Sequence, residues 1–314
     1  MRRIHVMAAV IRDAEQRILI AKRPDHAHQG GLWEFPGGKL EPGESRLEAL
    51  QRELREELGI TVQQARPLID LQHNYPDKHI RLDVWEVSEF TGTAHGAEGQ
   101  PVQWVTEQQL PSYAFPAANQ PIVAAARLPQ RYLITPDCPS AELLKGIEHA
   151  IGAGISLIQL RQTQLSIEDY EALCKEVLQR FGAQATFMLK GAQPPLHPGA
   201  GWHLTSKQLR ALADQPEPTR PLPADRWLSA SCHDAEELQM AERLGVDFAV
   251  LSPLQPTASH PHASPLGWER AQAMLSDCRL PVYLLGGVTS GDLATAQTVG
   301  AQGIAAIRGL WMLP

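Results

Sequence analysis

The sequence predicts an α/β protein with two domains. Its 314 residues are enough to bury two cores of ordinary size. Residues 1–127 contain strand-like segments separated by loops and helices, whereas eight short apolar runs, most of them followed by a helical or turn-rich segment, begin at residue 131. This alternation of strand-like and helical segments predicts a (β/α)₈ TIM barrel over residues 131–314. The joint, residues 127–131, is too short to let the two domains move freely.

The composition argues against several classes of protein. An apolar fraction of 43% with 20% charged residues is typical of a soluble globular chain. No apolar run reaches the roughly eighteen residues of a membrane span. The opening MRRIHVMAAVIRDAEQR has no small-residue cleavage site, so we expect a first strand, not a signal peptide, and a cytoplasmic protein without a membrane partner.

The charge and the cysteine content exclude further classes of partner and site. The net charge of −7 is shared by both halves, so we expect no direct nucleic-acid partner. The four cysteines lie far apart and form no C-x-x-C pair. We therefore expect buried, reduced thiols, with no zinc or redox role.

The individual strands follow from short apolar or alternating runs. In the first domain the predicted strands are HVMAAVIR, RILIAKR, HIRLDVWEV and PVQWVT, and NQPIVAAAR is the closing helix. In the second domain they are RYLITP, GISLIQLR, ATFMLK, GWHL, WLSASC, FAVLSP, PVYLLGG and GIAAIRG. Barrel enzymes bind their ligands at the C-terminal ends of such strands.

A glutamate-rich helix is predicted from Arg46 to Leu58. Ser45 is a good N-cap, Glu48 completes a capping box, and Gly59 provides a C-terminal stop. Four leucines are spaced to face the core: Leu47, Leu50, Leu54 and Leu58.

Glu53, Glu56 and Glu57 lie at positions i, i+3 and i+4 of that helix. Like charges at this spacing destabilise a plain surface helix by a few tenths of a kcal/mol per pair, about 0.2–0.5. A hard divalent cation would convert the repulsion into coordination, because Mg²⁺ prefers carboxylate and phosphate oxygens. The preceding PGGKLEPGE can turn sharply at its glycines and bring loop carbonyls and Lys39 to the same metal.

The spacing of these residues resembles the Nudix box. Gly38, five residues, Glu44, seven residues and then RELREELGI match that pattern at every fixed position. The resemblance implies a Nudix α/β/α sandwich with a mixed sheet that hydrolyses a nucleoside diphosphate linked to another moiety. It also implies a Mg²⁺ cofactor, with Mn²⁺ as the alternative. The metal site would comprise Gly37, Gly38, Glu53, Glu56, Glu57 and Glu98, with Arg52 and Glu44 as orienting residues.

Outside the box, residues 1–127 resemble the MutT branch, which converts 8-oxo-dGTP to 8-oxo-dGMP and pyrophosphate. LWEFPGGKL, PDKHI, EGQPVQW and FPAANQPI carry the likeness. It implies that Glu98 is a further metal ligand or base and that Asn119 hydrogen-bonds the purine edge. It also implies further substrate-binding roles: Arg23 on phosphate, Phe35 as an apolar wall by the base, Lys39 near the metal, and Asp77 and Lys78 closing over the ligand.

Residues 131–314 resemble the thiamine phosphate synthase and TenI family. RYLITP, SASCHD, LGVDFAVLSPLQPTASHPHASPLGWE and PVYLLGGVTSGDL carry this likeness. It implies a phosphate-bearing ligand held by Gln159, Arg161, Ser231, His233, Thr257, Gly286, Gly287 and Arg308. In place of the N-D-R expected after the third strand, this chain has LKGA, and in place of the acidic motif expected after HL it has TSKQL. Thr163 and His260 stand where two lysines are expected. A Mg²⁺ diphosphate complex would lack carboxylate ligands there, so we expect no synthase activity.

Several alternatives remain at this stage. The Nudix half could hydrolyse thiamine-pathway diphosphates passed on by the barrel, or the whole chain could be a ligand-binding regulatory module. Within the barrel, His233 could serve a TenI-like isomerisation, or the domain could be vestigial or regulatory. Asn119 could be only a helix N-cap, and Phe35 only a core residue.

Overall fold

The computed structural model describes residues 3–26, 29–74, 79–256 and 264–311. The chain divides into two compact units, Met1–Arg127 and Leu128–Pro314. None of the helices in the described ranges has the length and apolar content that a bilayer crossing requires.

The first unit combines two small sheets with two α-helices. Strand β5 pairs in parallel with β1 and antiparallel with β4, so this sheet is mixed, and β2 pairs antiparallel with β3 and β6. The elements are β1 (Arg3–Ile11), β2 (Ile18–Lys22), β3 (Trp33–Glu34), α1 (Arg46–Leu58), β4 (Thr61–Asn74), β5 (His79–Thr91), β6 (Val102–Val105) and α2 (Gln120–Arg127).

Strand β1 contributes side chains to both core clusters of the first unit. Met7, Ala9 and Ile11 pack in the same core cluster as the leucines of α1. Ala8 and Val10 pack in the cluster that contains the apolar residues of α2. Because successive side chains of a strand point to opposite faces, the two helices cover opposite faces of the sheet. The predicted α/β/α sandwich with a mixed sheet is confirmed.

Helix α1 has the predicted bounds and caps. The Ser45 side chain accepts a hydrogen bond from the Glu48 backbone N–H, and the Glu48 side chain accepts one from the Ser45 backbone N–H. Gly59 follows the helix with φ 68°. Leu50, Leu54 and Leu58 are fully buried as expected. The prediction for Leu47 was wrong, because this residue lies in the first helical turn, at the edge of the core, and is 39% exposed.

Strand β4 was missing from the sequence prediction. Its 14 residues carry Pro67 and no sustained alternation of apolar and polar residues. Its pairing with β5 shifts register between Val62 and Gln64, between Gln64 and Ala65, and between Pro67 and Ile69. Bulges of this kind let a strand accommodate a residue without an N–H donor, and they also erase the period that would predict the strand.

The second unit is a closed barrel of eight parallel strands, in the order β10-β11-β12-β13-β14-β7-β8-β9. Each predicted strand is present, and the predicted TIM barrel is confirmed. The strands are β7 (Arg131–Ile134), β8 (Leu157–Leu160), β9 (Thr186–Leu189), β10 (Gly201–Leu204), β11 (Leu228–Cys232), β12 (Phe248–Leu251), β13 (Val282–Leu285) and β14 (Gly303–Ala306). The helices are α3 (Ser140–Gly152), α4 (Ile167–Phe181), α5 (Ser206–Ala213), α6 (Ala235–Leu244), α7 (Gly267–Ser276) and α8 (Leu293–Thr298).

Aromatic side chains fill part of the barrel lumen. The rings of Tyr132, Phe248 and Tyr283 contact one another with centroids 5.5–5.6 Å apart, and all three are fully buried. Alternate residues of the same strands pack outward against the helices. Of the four thiols, Cys174, Cys232 and Cys278 are buried and unpaired as expected, whereas Cys138 is only partly buried.

Candidate active site

The loop before α1 packs between β1 and the glutamate-rich helix α1. Met7 and Ala9 donate backbone hydrogen bonds to the carbonyls of Gly38 and Pro36, at 2.7 and 2.8 Å. A Cβ on Gly37 would lie 2.1 Å from the Met7 carbonyl oxygen, and one on Gly38 would lie 2.2 Å from the Glu53 carboxyl carbon. Only glycine allows this approach, so the loop backbone lies directly on the carboxylates of α1.

Glu57 is the most strongly perturbed carboxyl group of this region. The Gly37 N–H donates to its Oε2 at 3.0 Å. Burial, and then the nearby charges of Glu34, Glu53 and Glu98, raise the pKa of Glu57 to about 7, although the Gly37 hydrogen bond opposes the shift. Four carboxyl groups from three segments of the chain therefore face one small region.

Arg52 neutralises part of this negative charge. Its Nε donates to Glu44 Oε1 at 2.6 Å, its Nη1 to Glu53 Oε1 at 2.8 Å and to Glu56 Oε2 at 3.3 Å, and its Nη2 to the Lys39 carbonyl at 3.0 Å. The hydrogen bond from Arg52 lowers the pKa of Glu44, and the hydrogen bonds to Glu44 and Glu53 raise the pKa of Arg52. The predicted orienting residues, Arg52 and Glu44, thus form one network with two predicted metal ligands.

The loop that carries Glu98 is fixed to the C-terminal end of α1. Ala97 N–H and the Gln100 side-chain amide both donate to the Glu57 carbonyl, at 2.9 and 3.0 Å, and His95 N–H donates to the Leu58 carbonyl at 3.1 Å. These bonds satisfy carbonyls that a helix end leaves without partners. Glu98 itself is exposed, so its carboxylate is open to solvent, whereas Glu57 is partly buried.

The acidic cluster fits a hard divalent cation. Its donors are carboxylate and carbonyl oxygens, the ligand type that Mg²⁺ and Mn²⁺ take, and the crowding that raises the pKa of Glu57 would be relieved by a positive ion. In the described part of the chain, no three acidic, His or Cys side chains converge on one point as a preformed cation site. Arg52 donates hydrogen bonds to Glu53 and Glu56, and a cation that bound the same oxygens would have to replace them.

A cleft of about 200 Å³ opens beside the cluster. Arg23 and Glu34 form an ion pair within it, and burial raises the pKa of Glu34. Phe35 is 4% exposed and stacks on Phe115 with centroids 5.3 Å apart. The residues that line the cleft include Val6, Ala8, Arg23, Gln29, Glu34, Phe35, Gly37, Ile80, Leu82, Pro116, Ala118, Asn119 and Ile122.

Asn119 lines the cleft at the end of a short 3₁₀ turn, immediately before α2. Its side-chain amide has no hydrogen-bond partner among the described residues, so it does not cap α2. An amide offers both a donor and an acceptor. Asn119 is therefore available to a ligand in the cleft.

Lys39 is not among the residues that line the cleft. The Lys39 side chain is exposed, and only its carbonyl joins the network, through Arg52. Asp77 and Lys78 lie outside the described residues. Glu34 was missed by the sequence analysis; it lies in LWEFPGG between Arg23 and the glutamate helix, and its place in that motif was the available signal.

In the barrel, Gln159 and Arg161 lie at the C-terminal end of β8, as predicted. Gln159 is 3% exposed, and its Nε2 has no hydrogen-bond partner among the described residues. Arg161 Nη1 donates to Asp137 Oδ2 at 2.8 Å, and Asp137 also accepts from the Thr163 backbone and hydroxyl. Thr163, where a lysine was expected, thus serves to hold Asp137.

His233 makes a local contact. Its Nδ1 lies 2.9 Å from Glu237 Oε2, one turn along α6, and half of its side chain is exposed. Instead, the buried histidine of the lumen is His203 of β10, whose two ring nitrogens contact Ser229 at 2.7 Å and Ser231 at 2.9 Å. Burial lowers the pKa of His203 to about 3, so the ring is neutral. Its position inside the short strand GWHL was the signal in the sequence.

The other predicted barrel residues are more scattered. Gly286 and Gly287 follow β13 with φ of 111° and 71°, conformations that favour glycine. Arg308 follows β14 and is exposed. Thr257 and His260 lie outside the described residues. Lys190, at the end of β9, was missed because the sequence analysis considered only the acids that LKGA lacks.

Two families match the two halves of the chain. The NUDIX domain matches residues 7–125, and thiamine monophosphate synthase matches residues 131–310. The 8-oxo-dGTP diphosphatase of Escherichia coli is 40% identical over 124 residues, which cover 40% of this chain and 96% of that protein. The CTP pyrophosphohydrolase of the same organism is also 40% identical, over 125 residues that cover 40% of this chain and 92% of that protein.

The barrel half has more distant relatives. The thiamine-phosphate synthase of Fusobacterium nucleatum is 25% identical over 188 residues, which cover 57% of this chain and 87% of that protein. Each of these relatives therefore corresponds to one half of the chain.

Proposed function

We infer the function from the fact that this chain belongs to the Nudix family through its first domain and to the thiamine monophosphate synthase family through its second. The first domain is a Nudix hydrolase. We propose that it is a Mg²⁺-dependent nucleoside triphosphate pyrophosphohydrolase that converts 8-oxo-dGTP to 8-oxo-dGMP and pyrophosphate. The domain division that we propose is 1–127 and 131–314.

Glu53, Glu56, Glu57 and Glu98, with carbonyls of Gly37 and Gly38, would hold the cation. When bound, Mg²⁺ supplies charge neutralisation on the phosphoryl oxygens and activation of water. Arg52 holds Glu53 through a 2.8 Å hydrogen bond and is itself held by Glu44. Its proposed role is to keep the carboxylates in one orientation, so that little reorganisation accompanies the reaction.

The residues around the cluster would supply binding and proton transfer. Arg23 lies in the cleft with Glu34 and would contact phosphate oxygens by charge-assisted hydrogen bonds. Glu98 is exposed beside Glu57 and would accept a proton from the attacking water, or act as a further metal ligand. Phe35, buried on Phe115, would form the apolar wall by the base.

The observation that carries the choice of substrate is the free amide of Asn119 in the cleft. It can accept from an N–H and donate to a carbonyl, and an oxidised purine offers both groups. A site that hydrogen-bonds such groups rejects analogues that lack them. The choice is open to test, because the 8-oxo-dGTP and CTP hydrolases of Escherichia coli are equally similar to this chain.

The test is product analysis. Purified full-length protein with 8-oxo-dGTP and Mg²⁺ should release pyrophosphate and 8-oxo-dGMP, detected by ³¹P NMR and chromatography. Orthophosphate with 8-oxo-dGDP as the products, or equal turnover when Mg²⁺ is chelated, would contradict the proposal.

For the barrel we propose that synthase activity is absent. Where the family's acidic motifs were expected, residues 189–192 are LKGA and residues 205–209 are TSKQL, and neither segment contains an acidic residue; Thr205 serves as the N-cap of α5. A Mg²⁺ diphosphate complex has no carboxylate to bind at these positions. Thiamine phosphate formation from the pyrimidine diphosphate and the thiazole phosphate should therefore stay at background, and turnover above that level would contradict the proposal.

A further inference from the structure

A buried carboxylate lies between the sheet of the first domain and the start of α1. Asp83 of β5 is 1% exposed. The guanidinium of Arg46 donates to both of its oxygens, Trp85 Nε1 donates to Oδ1 at 2.9 Å, and His5 Nε2 lies 3.0 Å from Oδ2. Side chains from β1, from β5 and from the first residue of α1 therefore meet at one carboxylate.

The contact fixes the direction of the Arg46 side chain. Its guanidinium forks onto both Asp83 oxygens, and its Cζ lies over the Trp85 ring, 5.4 Å from the centroid. A planar guanidinium that is both forked and stacked has a defined orientation, which a lysine ammonium lacks. A well-packed apolar pair would attach the helix to the sheet about as firmly, because such pairs often replace buried ion pairs without loss of stability. What the ionic contact adds is direction.

The direction of Arg46 is shared by two proposed metal ligands. Glu53 and Glu57 follow Arg46 by 7 and 11 residues, which is close to two and three full turns at about 3.6 residues per turn. The three side chains therefore lie on one side of α1. The buried leucines of α1 also hold it to the core, but apolar contacts are non-directional. A rotation of α1 about its axis would move both carboxylates away from the Gly38 backbone.

The loop before α1 is fixed to the same two strands. The His5 carbonyl accepts from Leu40 N–H at 2.9 Å, while the His5 ring contacts Asp83. Met7, whose N–H donates to the Gly38 carbonyl at 2.7 Å, is the partner of Asp83 in the parallel register of β1 with β5. The helix and the glycine loop are thus both held in register with β1 and β5 at this point.

We propose that Asp83 and Arg46 are positioning residues for the divalent-cation site: they fix the rotation of α1 so that Glu53 and Glu57 face the Gly38 backbone. This inference rests on the proposed function of the first domain, in which α1 binds the cation. Both residues lie outside the fixed positions of the Nudix box, so the motif assigns no role to them. Their contribution is to geometry, since neither is a ligand of the cation.

The test is Mn²⁺ binding to the full-length protein without nucleotide, measured from the EPR signal of the free ion. Circular dichroism and urea unfolding first show which variants are folded. Arg46→Met should weaken Mn²⁺ binding at least about fivefold, somewhat less than the 10- to 100-fold that is typical for direct partners of metal ligands. The sign is decisive, because loss of a positive charge near carboxylates would by itself strengthen the binding of a cation.

Arg46→Lys is the milder variant, and it decides the question if Arg46→Met does not fold. It keeps the positive charge but loses the fork and the stacked plane. Mn²⁺ binding should weaken at least about twofold if orientation is what Arg46 provides. An affinity equal to that of the wild type would overturn the proposal.

Arg12→Met is the matched control. Arg12 of β1 binds Glu86 and Glu107, at 2.8 and 2.7 Å, and the Ala126 carbonyl of α2, at 2.6 Å. It thus ties the other helix of the domain to the sheet. This change should destabilise the domain and yet leave the Mn²⁺ affinity within about twofold of the wild type, because α1 keeps its orientation.

Glu53→Gln separates this inference from the function on which it rests. We expect weaker Mn²⁺ binding in both Glu53→Gln and Arg46→Met. If Glu53→Gln weakens binding and a folded Arg46→Met binds Mn²⁺ as well as the wild type or better, the positioning role alone is overturned. If Glu53→Gln leaves the affinity unchanged, α1 is not the cation site, and the proposed metal site falls together with the positioning role.

Discussion

The two candidate regions of this chain differ in how their charges are arranged. In the first domain, carboxylates from α1, β3 and the loop before β6 crowd together until the pKa of Glu57 rises to about 7. In the barrel, Arg161 after β8 is paired with Asp137, and the buried His203 is neutral. The acidic region would need a cation beside it to bind phosphate oxygens, whereas the charges at this end of the barrel are balanced by pairing or removed by burial.

The comparison also shows how differently the two regions are held. The acidic cluster depends on two glycines that let the loop backbone approach Glu53. It also depends on Arg52, which hydrogen-bonds two residues of the loop and two of α1. The barrel region depends on hydroxyl groups, since Ser229 and Ser231 hold His203 and Asp137 holds Arg161. Changes in the acidic region should therefore affect charge balance first, and changes in the barrel should affect orientation.

The largest effect is expected from Glu53→Gln. This change removes a carboxylate that Arg52 orients and that the Gly38 backbone contacts, while it keeps the shape of the side chain. The hydrolysis rate with Mg²⁺ should fall at least about 10²-fold, measured as pyrophosphate release, with unchanged circular dichroism. Glu48→Gln on the same helix preserves the capping box and should stay within about twofold. Full activity of Glu53→Gln would refute the role of the glutamate helix.

The charge crowding predicts a pH-dependent stability that the barrel should not share. The pKa of Glu57 is about 7 in the folded protein, against an ordinary value of 4.5. The contribution of this carboxyl group to the free energy of unfolding is therefore fully present below about pH 4.5 and is lost as the pH rises through 7. The loss is on the order of 3 kcal/mol. Urea unfolding in EDTA should show this decline in the wild type, whereas Glu57→Gln should show less of it.

The control for this measurement is Glu41→Gln, a change at an exposed residue of the loop before α1. It should retain the decline. Added Mg²⁺ should reduce the decline in the wild type, because a cation relieves the repulsion between carboxylates. Identical pH profiles for wild type and Glu57→Gln would show that the crowding is not present in solution.

A smaller effect is expected from Asn119→Ala. The ratio of kcat/KM for 8-oxo-dGTP over dGTP should fall about tenfold, because a hydrogen bond to the oxidised purine is worth about 0.5–1.5 kcal/mol. Turnover of dGTP should change less. Gln120→Ala at the adjacent exposed position is the control and should keep the ratio of the wild type. An unchanged ratio in Asn119→Ala would remove the basis for the purine assignment.

The sequence predicted the acidic region better than the barrel region for a physical reason. Glu53, Glu56 and Glu57 belong to one helix, whose period fixes their relative positions, and its caps were visible as Ser45 and Gly59. Strand β4 escaped prediction because its bulges break the period. In the barrel, Lys190 and His203 come from separate strands, so their proximity depends on the pairing of β9 with β10 and not on a helical period.

The barrel roles of His233 and Arg308 stay predictions. The His233 ring contacts Glu237 one turn later, and Arg308 is exposed. Glu34 was missed because its partner Arg23 lies eleven residues away, across the pairing of β2 with β3.

The most direct measurement is kcat/KM of the full-length protein with Mg²⁺ for 8-oxo-dGTP, dGTP, CTP and thiamine diphosphate, measured side by side. The account predicts that 8-oxo-dGTP is preferred over each of the others, by at least about tenfold over dGTP. A preference for CTP would contradict the role given to Asn119. A preference for thiamine diphosphate would contradict the separation of the two domains in function and join them in one pathway.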